Sequence, residues 1–358
     1  AGKLDKLIKA FAARNPAAFK MMRQQGAFVG RGPAPKLAFL YTGQGSQYVN
    51  MLKDLAATEP VVKEVFAEAD RVMAPLLGKP LTDYVFVDAT EASAVAQAEE
   101  HLRQTAIPQP AVLAVDTALT RLLAAYGVVP DVVMGHSLGE YAALVAAGVL
   151  QLKDAVPLVE LRAKAMQAAV PAGVGAMAAV MGLDAEGVVA ACAEAAQGQV
   201  VQAVNFNEPK QTVIAGHKAA VERAAEAVKS RGAKRALMLP VSAPFHCSLM
   251  QPAADALKSP LANLQFMPPQ FPVVNNVDVA QRIEPDAIRD ALVRQAASPV
   301  RWVETMQVMQ AAGVTHVFEC GPGKVLAGLV KRCVDGLAGG PMNDLAGVEA
   351  ALAAVEGA

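Results

Sequence analysis

Neither sign of charge is in excess in this chain: 32 basic residues face 33 acidic ones, a formal net charge of -1. A nucleic-acid binder needs a basic footprint to neutralise phosphates, so that class is excluded as a main function. Cysteine is scarce. Cys192, Cys247, Cys320 and Cys333 are far apart with no CxxC spacing, which argues against a zinc cluster, any other metal site or a disulfide framework and for reduced cytoplasmic thiols. No apolar run is long enough to cross a bilayer. The most apolar stretch, Tyr141 to Leu152, falls well short of the roughly 18 residues a span needs. The N-terminus alternates lysines with apolar residues and so does not read as a signal peptide.

What is present is an apolar, moderately charged chain of 358 residues, 54% hydrophobic and 18% charged, enough to build a large core and a second smaller one. Residues 1–35 stand apart. They hold seven basic side chains (Lys3, Lys6, Lys9, Arg14, Lys20, Arg23, Arg31) against the single acid Asp5. Leu4, Leu7, Ile8 and Phe11 at helical spacing predict an amphipathic linker or docking helix there.

From Lys36 onward an α/β alternation begins. Leu37 to Tyr41 reads as a buried strand, followed by the glycine turn Gly43-Gln44-Gly45-Ser46-Gln47. Helical patterns cover Val61 to Met73 and Pro108 to Tyr126, and a short strand, Asp131 to Met134, leads into Gly135. Between Gly173 and Pro240 the order is strand (Ala176 to Met181), helix (Ala185 to Ala195), strand (Val200 to Asn205), strand (Gln211 to Ala215), helix (Lys218 to Ser230), strand (Arg235 to Leu239). That βαββαβ order is the split motif of a ferredoxin-like subdomain. A further strand, Val314 to Glu319, precedes the turn Gly321-Pro322-Gly323 and a helix through Lys331. The expected organisation is an α/β-hydrolase-like large domain, residues 36–172 and 240–358, interrupted by a ferredoxin-like subdomain, residues 173–239.

Gly135-His136-Ser137-Leu138-Gly139 between a strand and an amphipathic helix has the form of a nucleophile elbow: the glycines permit the tight turn and the serine hydroxyl is held out at the helix N-terminus. A serine can also simply cap a helix starting at Leu138, but the flanking glycines favour a nucleophile. Its base must come from five histidines. His136 adjoins the serine and points elsewhere; His101 sits among Glu99, Glu100 and Arg103 on a solvated face; His217 opens a small-domain helix; and His316 lies on a strand. His246, in Ser242-Ala243-Pro244-Phe245-His246-Cys247, stands where the chain returns to the large domain, and is the favoured base.

These motifs together resemble the malonyl-CoA:acyl carrier protein transacylases and the acyltransferase domains of polyketide and polyunsaturated fatty acid synthases, from about Lys36 to the C-terminus. The resemblance implies that Gln44 and Leu138 supply the oxyanion-hole amides and that the Gln295 carbonyl orients His246. It further implies that Arg162 binds the free carboxylate of the acyl group, which a guanidinium can hold by two parallel hydrogen bonds. Gly321-Pro322-Gly323-Lys324 matches the family's late glycine turn. Phe245 precedes the histidine where relatives vary with their acyl group, and its ring favours malonyl over methylmalonyl. Met166 is a candidate lining residue or core filler, and Asn205 faces the cleft or ends a strand. Thr42 departs from the proline many relatives carry. The resemblance implies malonyl-CoA as substrate, an acyl carrier protein bearing phosphopantetheine as partner, no permanent cofactor, and a monomer or a domain beside synthase neighbours. A thioesterase of the α/β-hydrolase type would want an acid between Ser137 and His246. Asp184 is a possible acid there but heads a small-domain helix and reads better as its N-cap. A docking domain without catalysis is the other alternative.

Overall fold

The computed structural model describes residues 35–241 and 243–357, together with Lys9. The expected N-terminal linker helix otherwise lies outside these residues. Strand β1 (Leu37–Tyr41) is buried at every position, as an unbroken apolar run covered on both faces must be. Helices α1 (Lys53–Thr58), α2 (Pro60–Leu77), α3 (Thr82–Val85), α4 (Ala92–His101) and α5 (Pro108–Ala125) follow it. Proline opens both α2 and α5, where its fixed φ suits the first turn and its missing N–H costs nothing.

Strand β2 (Val132–Gly135) pairs in parallel with β1, Tyr41 opposite Gly135. It ends one residue later than the sequence suggested, so Gly135 belongs to the sheet. Helices α6 (Gly139–Ala146) and α7 (Leu152–Ala168) come next. The chain then builds β3 (Gly175–Met181), α8 (Ala185–Ala196), β4 (Val201–Glu208), β5 (Gln211–His217), α9 (Lys218–Ser230) and β6 (Arg235–Met238). These four strands form their own antiparallel sheet in the order β4-β5-β3-β6, the ferredoxin-like arrangement. Strand alternation gives β3 two jobs. Ala176, Ala178 and Val180 pack with Val188 and Val221 of the two covering helices, while Met177 and Ala179 pack on the opposite face with Cys247 and Phe245.

The remainder comprises α10 (Gln251–Asn263), β7 (Val273–Val274), β8 (Gln281–Arg282), α11 (Pro285–Gln295), α12 (Trp302–Ala311), β9 (His316–Cys320), α13 (Val325–Cys333), β10 (Ala338–Pro341) and α14 (Leu345–Gly357). The large sheet runs β10-β9-β1-β2-β7-β8 and is parallel except at β8. Phe39, Tyr41 and Val133 fill one of its faces. Ala38, Leu40 and Met134 fill the other with Trp302. Ligands of parallel α/β sheets bind beyond the carboxyl ends of the strands. Beyond those ends lie the Gly43-Gln44 turn after β1, the Ser137 elbow after β2, Asn275 and Asn276 after β7, and Gly321-Pro322-Gly323 after β9.

Candidate active site

The elbow is enforced by steric contact. A Cβ on Gly135 would lie 1.9 Å from the Gly139 carbonyl carbon, and one on Gly139 would lie 2.1 Å from the Tyr41 carbonyl oxygen. Only glycine fits at either position. Between them Ser137 adopts φ +53°, a left-handed conformation that costs a non-glycine residue about 1–3 kcal/mol and persists only where the surroundings over-determine it. Its N–H donates to Asn276 Oδ1 at 2.7 Å and its carbonyl accepts from Gln295 Nε2 at 2.8 Å. Helix α6 takes Leu138 as its N-cap with no side-chain capping bond, so the serine hydroxyl is not spent as a cap and the helix starts one residue later than expected.

The Ser137 Oγ lies 2.7 Å from His246 Nε2, and His246 Nδ1 lies 3.1 Å from the Gln295 carbonyl oxygen. A carbonyl can only accept, so Nδ1 carries the hydrogen and Nε2 is left as the acceptor for the serine hydroxyl. Burial, reinforced by the nearby Arg162 charge, pushes the imidazole down to about 3. It is therefore neutral at physiological pH, with the Nε2 lone pair free to accept a hydrogen bond.

Arg162 is 2% exposed, and among the described residues no carboxylate lies within ion-pair distance of it. Its Nη1 donates to Gln109 Oε1 at 3.0 Å, and its Nη2 donates to Gln295 Oε1 and to Ser137 Oγ, each at 3.0 Å. Burial lowers its pKa, but a guanidinium remains charged. Among the described residues its hydrogen bonds therefore all go to neutral oxygens, and a buried cation without a paired anion is electrostatically costly.

A cavity of about 450 Å³ lies over these groups, lined by Gln44, His136, Ser137, Arg162, Met166, Asn205, Phe245 and His246 among others. Met166 is also packed among Val170 and Met250, so it fills core and wall together. Asn205 sits inside β4 at a register shift, not at a strand end, and its buried Oδ1 has no protein partner. Gln44 Oε1 accepts from Gln109 Nε2 at 3.2 Å. Among the described residues no protein acceptor takes the Gln44 or Leu138 N–H. Behind this loop Thr42 Oγ1 donates to the buried Asp116 at 3.1 Å, an anchor that proline could not make. Burial holds the Asp116 carboxyl well above the usual range.

Of the other histidines, His136 lines the cavity but is turned away from Ser137, and His217 is tied into the small domain. His136 Nε2 meets Asn207 Oδ1 at 2.9 Å with its ring against Trp302, and His217 Nδ1 accepts from the Val200 N–H. Asp184 caps α8, accepting from the Gly187 N–H at 2.8 Å, and so is not the acid a hydrolase triad would use. Among the described residues no group of three or more metal-ligating side chains is assembled, and no helix is long and apolar enough to cross a membrane.

The acyl transferase domain family matches residues 38–350 of the chain. A malonyl CoA-acyl carrier protein transacylase of Escherichia coli (strain K12) is 52% identical over 318 residues, spanning 88% of this chain and 99% of that one. The chain belongs to the malonyl-CoA:acyl carrier protein transacylase family of acyl transferases. Among solved structures, an acyl carrier protein S-malonyltransferase from Vibrio cholerae matches with a TM-score of 0.82 at 53% identity, covering 88% of this chain and 99% of that one. A malonyl-transacylase in complex with its type II PKS acyl-carrier protein matches with a TM-score of 0.83 at 51% identity and the same two coverages, 88% and 99%. These likenesses carry the fold expected from sequence, an α/β large domain with a ferredoxin-like insertion.

Sequence reasoning passed over four residues of this acyl transferase's site: Gln109, Glu140, Asn207 and Asn276. Glu140 stood at the end of the nucleophile motif but was given no part. The others, in Pro108-Gln109-Pro110, Phe206-Asn207-Glu208 and Asn275-Asn276, carry no local signal of a partner far along the chain.

Proposed function

We propose that this acyl transferase moves a malonyl group from CoA to the phosphopantetheine thiol of an acyl carrier protein through a Ser137 acyl-enzyme. The observation that carries the reading is the buried Arg162 guanidinium, 3.0 Å from Ser137 Oγ and, among the described residues, within ion-pair distance of no carboxylate. A single methylene separates the ester carbonyl on Ser137 from the free carboxylate of a malonyl group, a short span that suits a cation beside the nucleophile. A neutral acyl group would leave that cation buried without an anion.

His246 Nε2 takes the Ser137 proton as Oγ attacks the thioester carbonyl, with the Gln44 and Leu138 amides assigned to the oxyanion. The tetrahedral intermediate collapses, the C–S bond breaks, and His246 returns its proton to the departing CoA sulfur. In the second half the carrier's thiol gives its proton to His246 and attacks the ester, and Ser137 recovers the proton as its C–O bond breaks. The thioester supplies the activation, so no step needs a resident cofactor. Phe245 narrows the wall beside the malonyl C2 carbon, and Met166 and Asn205 complete the acyl pocket.

We divide the chain into a catalytic domain, residues 36–172 and 240–358, and a subdomain, residues 173–239; the separate sheets and the separate core of the inserted strands support this division. Four unpaired thiols, three of them buried, favour a cytoplasmic setting. A monomer, free or beside synthase domains, is the working state.

Intact-protein mass spectrometry after brief exposure to malonyl-CoA tests the proposal. A malonyl adduct on Ser137, absent from Ser137→Ala and discharged by a carrier protein bearing phosphopantetheine, is the expected result. Rapid release of free malonate to water would make the protein a thioesterase, and failure of any adduct to form would leave only a docking role.

A further inference from the structure

Glu140 is the one carboxylate buried at the elbow, 1% exposed, and it lies in the first turn of α6. It reaches two other stretches of chain. Its Oε2 accepts from the Asn276 backbone N–H at 3.0 Å and from Gln295 Nε2 at 2.9 Å. Those two residues in turn hold nearly every group the chemistry uses. Asn276 Oδ1 takes the Ser137 N–H, while Asn276 Nδ2 donates to the Gly135 carbonyl at 2.7 Å. Gln295 donates from Nε2 to the Ser137 carbonyl, accepts from Arg162 at Oε1, and accepts from His246 through its backbone carbonyl. Removing the carboxylate would leave the Gln295 amide free to turn and would loosen the loop after β7. The left-handed Ser137 would then lose the two contacts that over-determine it.

We propose that Glu140 is a positioning residue for acyl transfer: by accepting from the Asn276 backbone N–H and the Gln295 amide at once, its carboxylate fixes the two residues whose side-chain amides clamp Ser137 and, through Gln295, aligns His246 and Arg162. Glu140 touches no reacting atom. The ionised form suits the task, because a carboxylate is a stronger acceptor for two N–H donors than a neutral acid. Burial raises its pKa to about 7; the Gln295 and Asn276 hydrogen bonds and the Arg162 charge on α7 oppose that rise, while Asp278 beyond β7 adds to it. The alignment is therefore expected to weaken as pH falls through neutrality.

The malonyl part of the proposal rests on the function assigned above, so the test uses two probes. One is the rate of malonyl-CoA loading. The other is the rate of Ser137 labelling by a fluorophosphonate, which needs an aligned Ser137–His246 pair but no acyl selectivity. In Glu140→Gln both rates should fall by about 100-fold, the scale set by small displacements of reacting groups, with KM for malonyl-CoA changing little and melting temperature at neutral pH no lower than that of the unaltered chain. The fall in wild-type labelling as pH drops through about 7 should vanish in Glu140→Gln. Glu140→Asp, which keeps the charge but draws it back by one methylene, should label slowly yet retain the pH response. Wild-type labelling rates in both variants, or a loss that merely tracks lowered melting temperature, would overturn the proposal. If the unaltered chain reacts with the fluorophosphonate but takes no malonyl, the malonyl reading falls while the positioning role is still decided by the labelling rates.

Discussion

Arg162 and Ser137 are in direct contact, guanidinium Nη2 to hydroxyl Oγ at 3.0 Å, and among the described residues no carboxylate lies within ion-pair distance of the buried cation. In the proposed mechanism the nucleophile and the anion receptor are thus one unit, and a substrate carboxylate in the receptor would be held within a few bonds of the attacking oxygen. Lysine carries the charge but not the planar fork. Arg162→Lys should therefore lower kcat/KM for malonyl-CoA by roughly 30-fold or more, since breaking a buried charge pair costs about 2–5 kcal/mol. Loading from acetyl-CoA, which has no carboxylate, should fall much less. Parallel acylation kinetics with the two thioesters check this, and an unchanged ratio would remove Arg162 from the selectivity role.

Phe245 lines the cavity next to His246 and packs on Met177 and Ala179 of β3 through the surrounding apolar cluster. Truncation should open the wall where a C2 methyl would sit. In Phe245→Ala the preference for malonyl over methylmalonyl should shrink by about 10- to 100-fold, in line with the roughly 1–3 kcal/mol that a pocket can set on one methyl. A competition assay with both thioesters reads the change directly.

The elbow glycines predict a stability loss, not a subtle kinetic effect. Gly139→Ala would push a methyl to within 2.1 Å of the Tyr41 carbonyl, between two backbones that cannot both yield. Overpacking of this kind costs about 3 kcal/mol or more. Denaturant melts should show it, along with loss of Ser137 labelling. A variant as stable as the parent would mean that β1 and the elbow separate more easily than their contacts imply.

Glu140 should also leave a mark on stability against pH. Burial is the main force raising its folded pKa, from 4.5 to about 7, so the folded protein binds the proton more tightly than the unfolded chain does. The stabilisation this represents is complete below about 4.5 and is lost as pH rises through about 7. Glutamine is neutral throughout. The melting temperature of Glu140→Gln relative to the parent should therefore rise between those two pH values and level off above them. A difference independent of pH would show that Glu140 does not titrate there.

Much of this was legible in the sequence because the signals were local. The run Leu37 to Tyr41, the two glycines around Ser137, and the βαββαβ rhythm each declare themselves within a few residues, and strand and helix boundaries moved only slightly on folding. His246 was reachable by comparing the settings of five histidines. Glu140, Asn276 and Gln109 were not reachable from the residues alone. Each matters through a hydrogen bond to a residue tens to more than a hundred positions away, as with Asn276 and Ser137, and a single sequence does not encode which polar side chain will meet which. Arg162 lay between these cases. Its helix looked ordinary, and only the resemblance marked it, whereas its burial without a carboxylate is visible solely in three dimensions.

The acceptor behind His246 is a main-chain oxygen, that of Gln295, and this shapes how the enzyme can be disabled. An alanine scan of α11 would strip the Gln295 amide from Ser137 and Arg162 yet leave the imidazole's tautomer intact. No side-chain substitution can delete that oxygen; it can only be moved, by shifting the end of the helix that carries it. An inactive relative could therefore keep Ser137 and His246 in its sequence and still have lost the relay, through a change in helix register that residue-by-residue inspection would pass over.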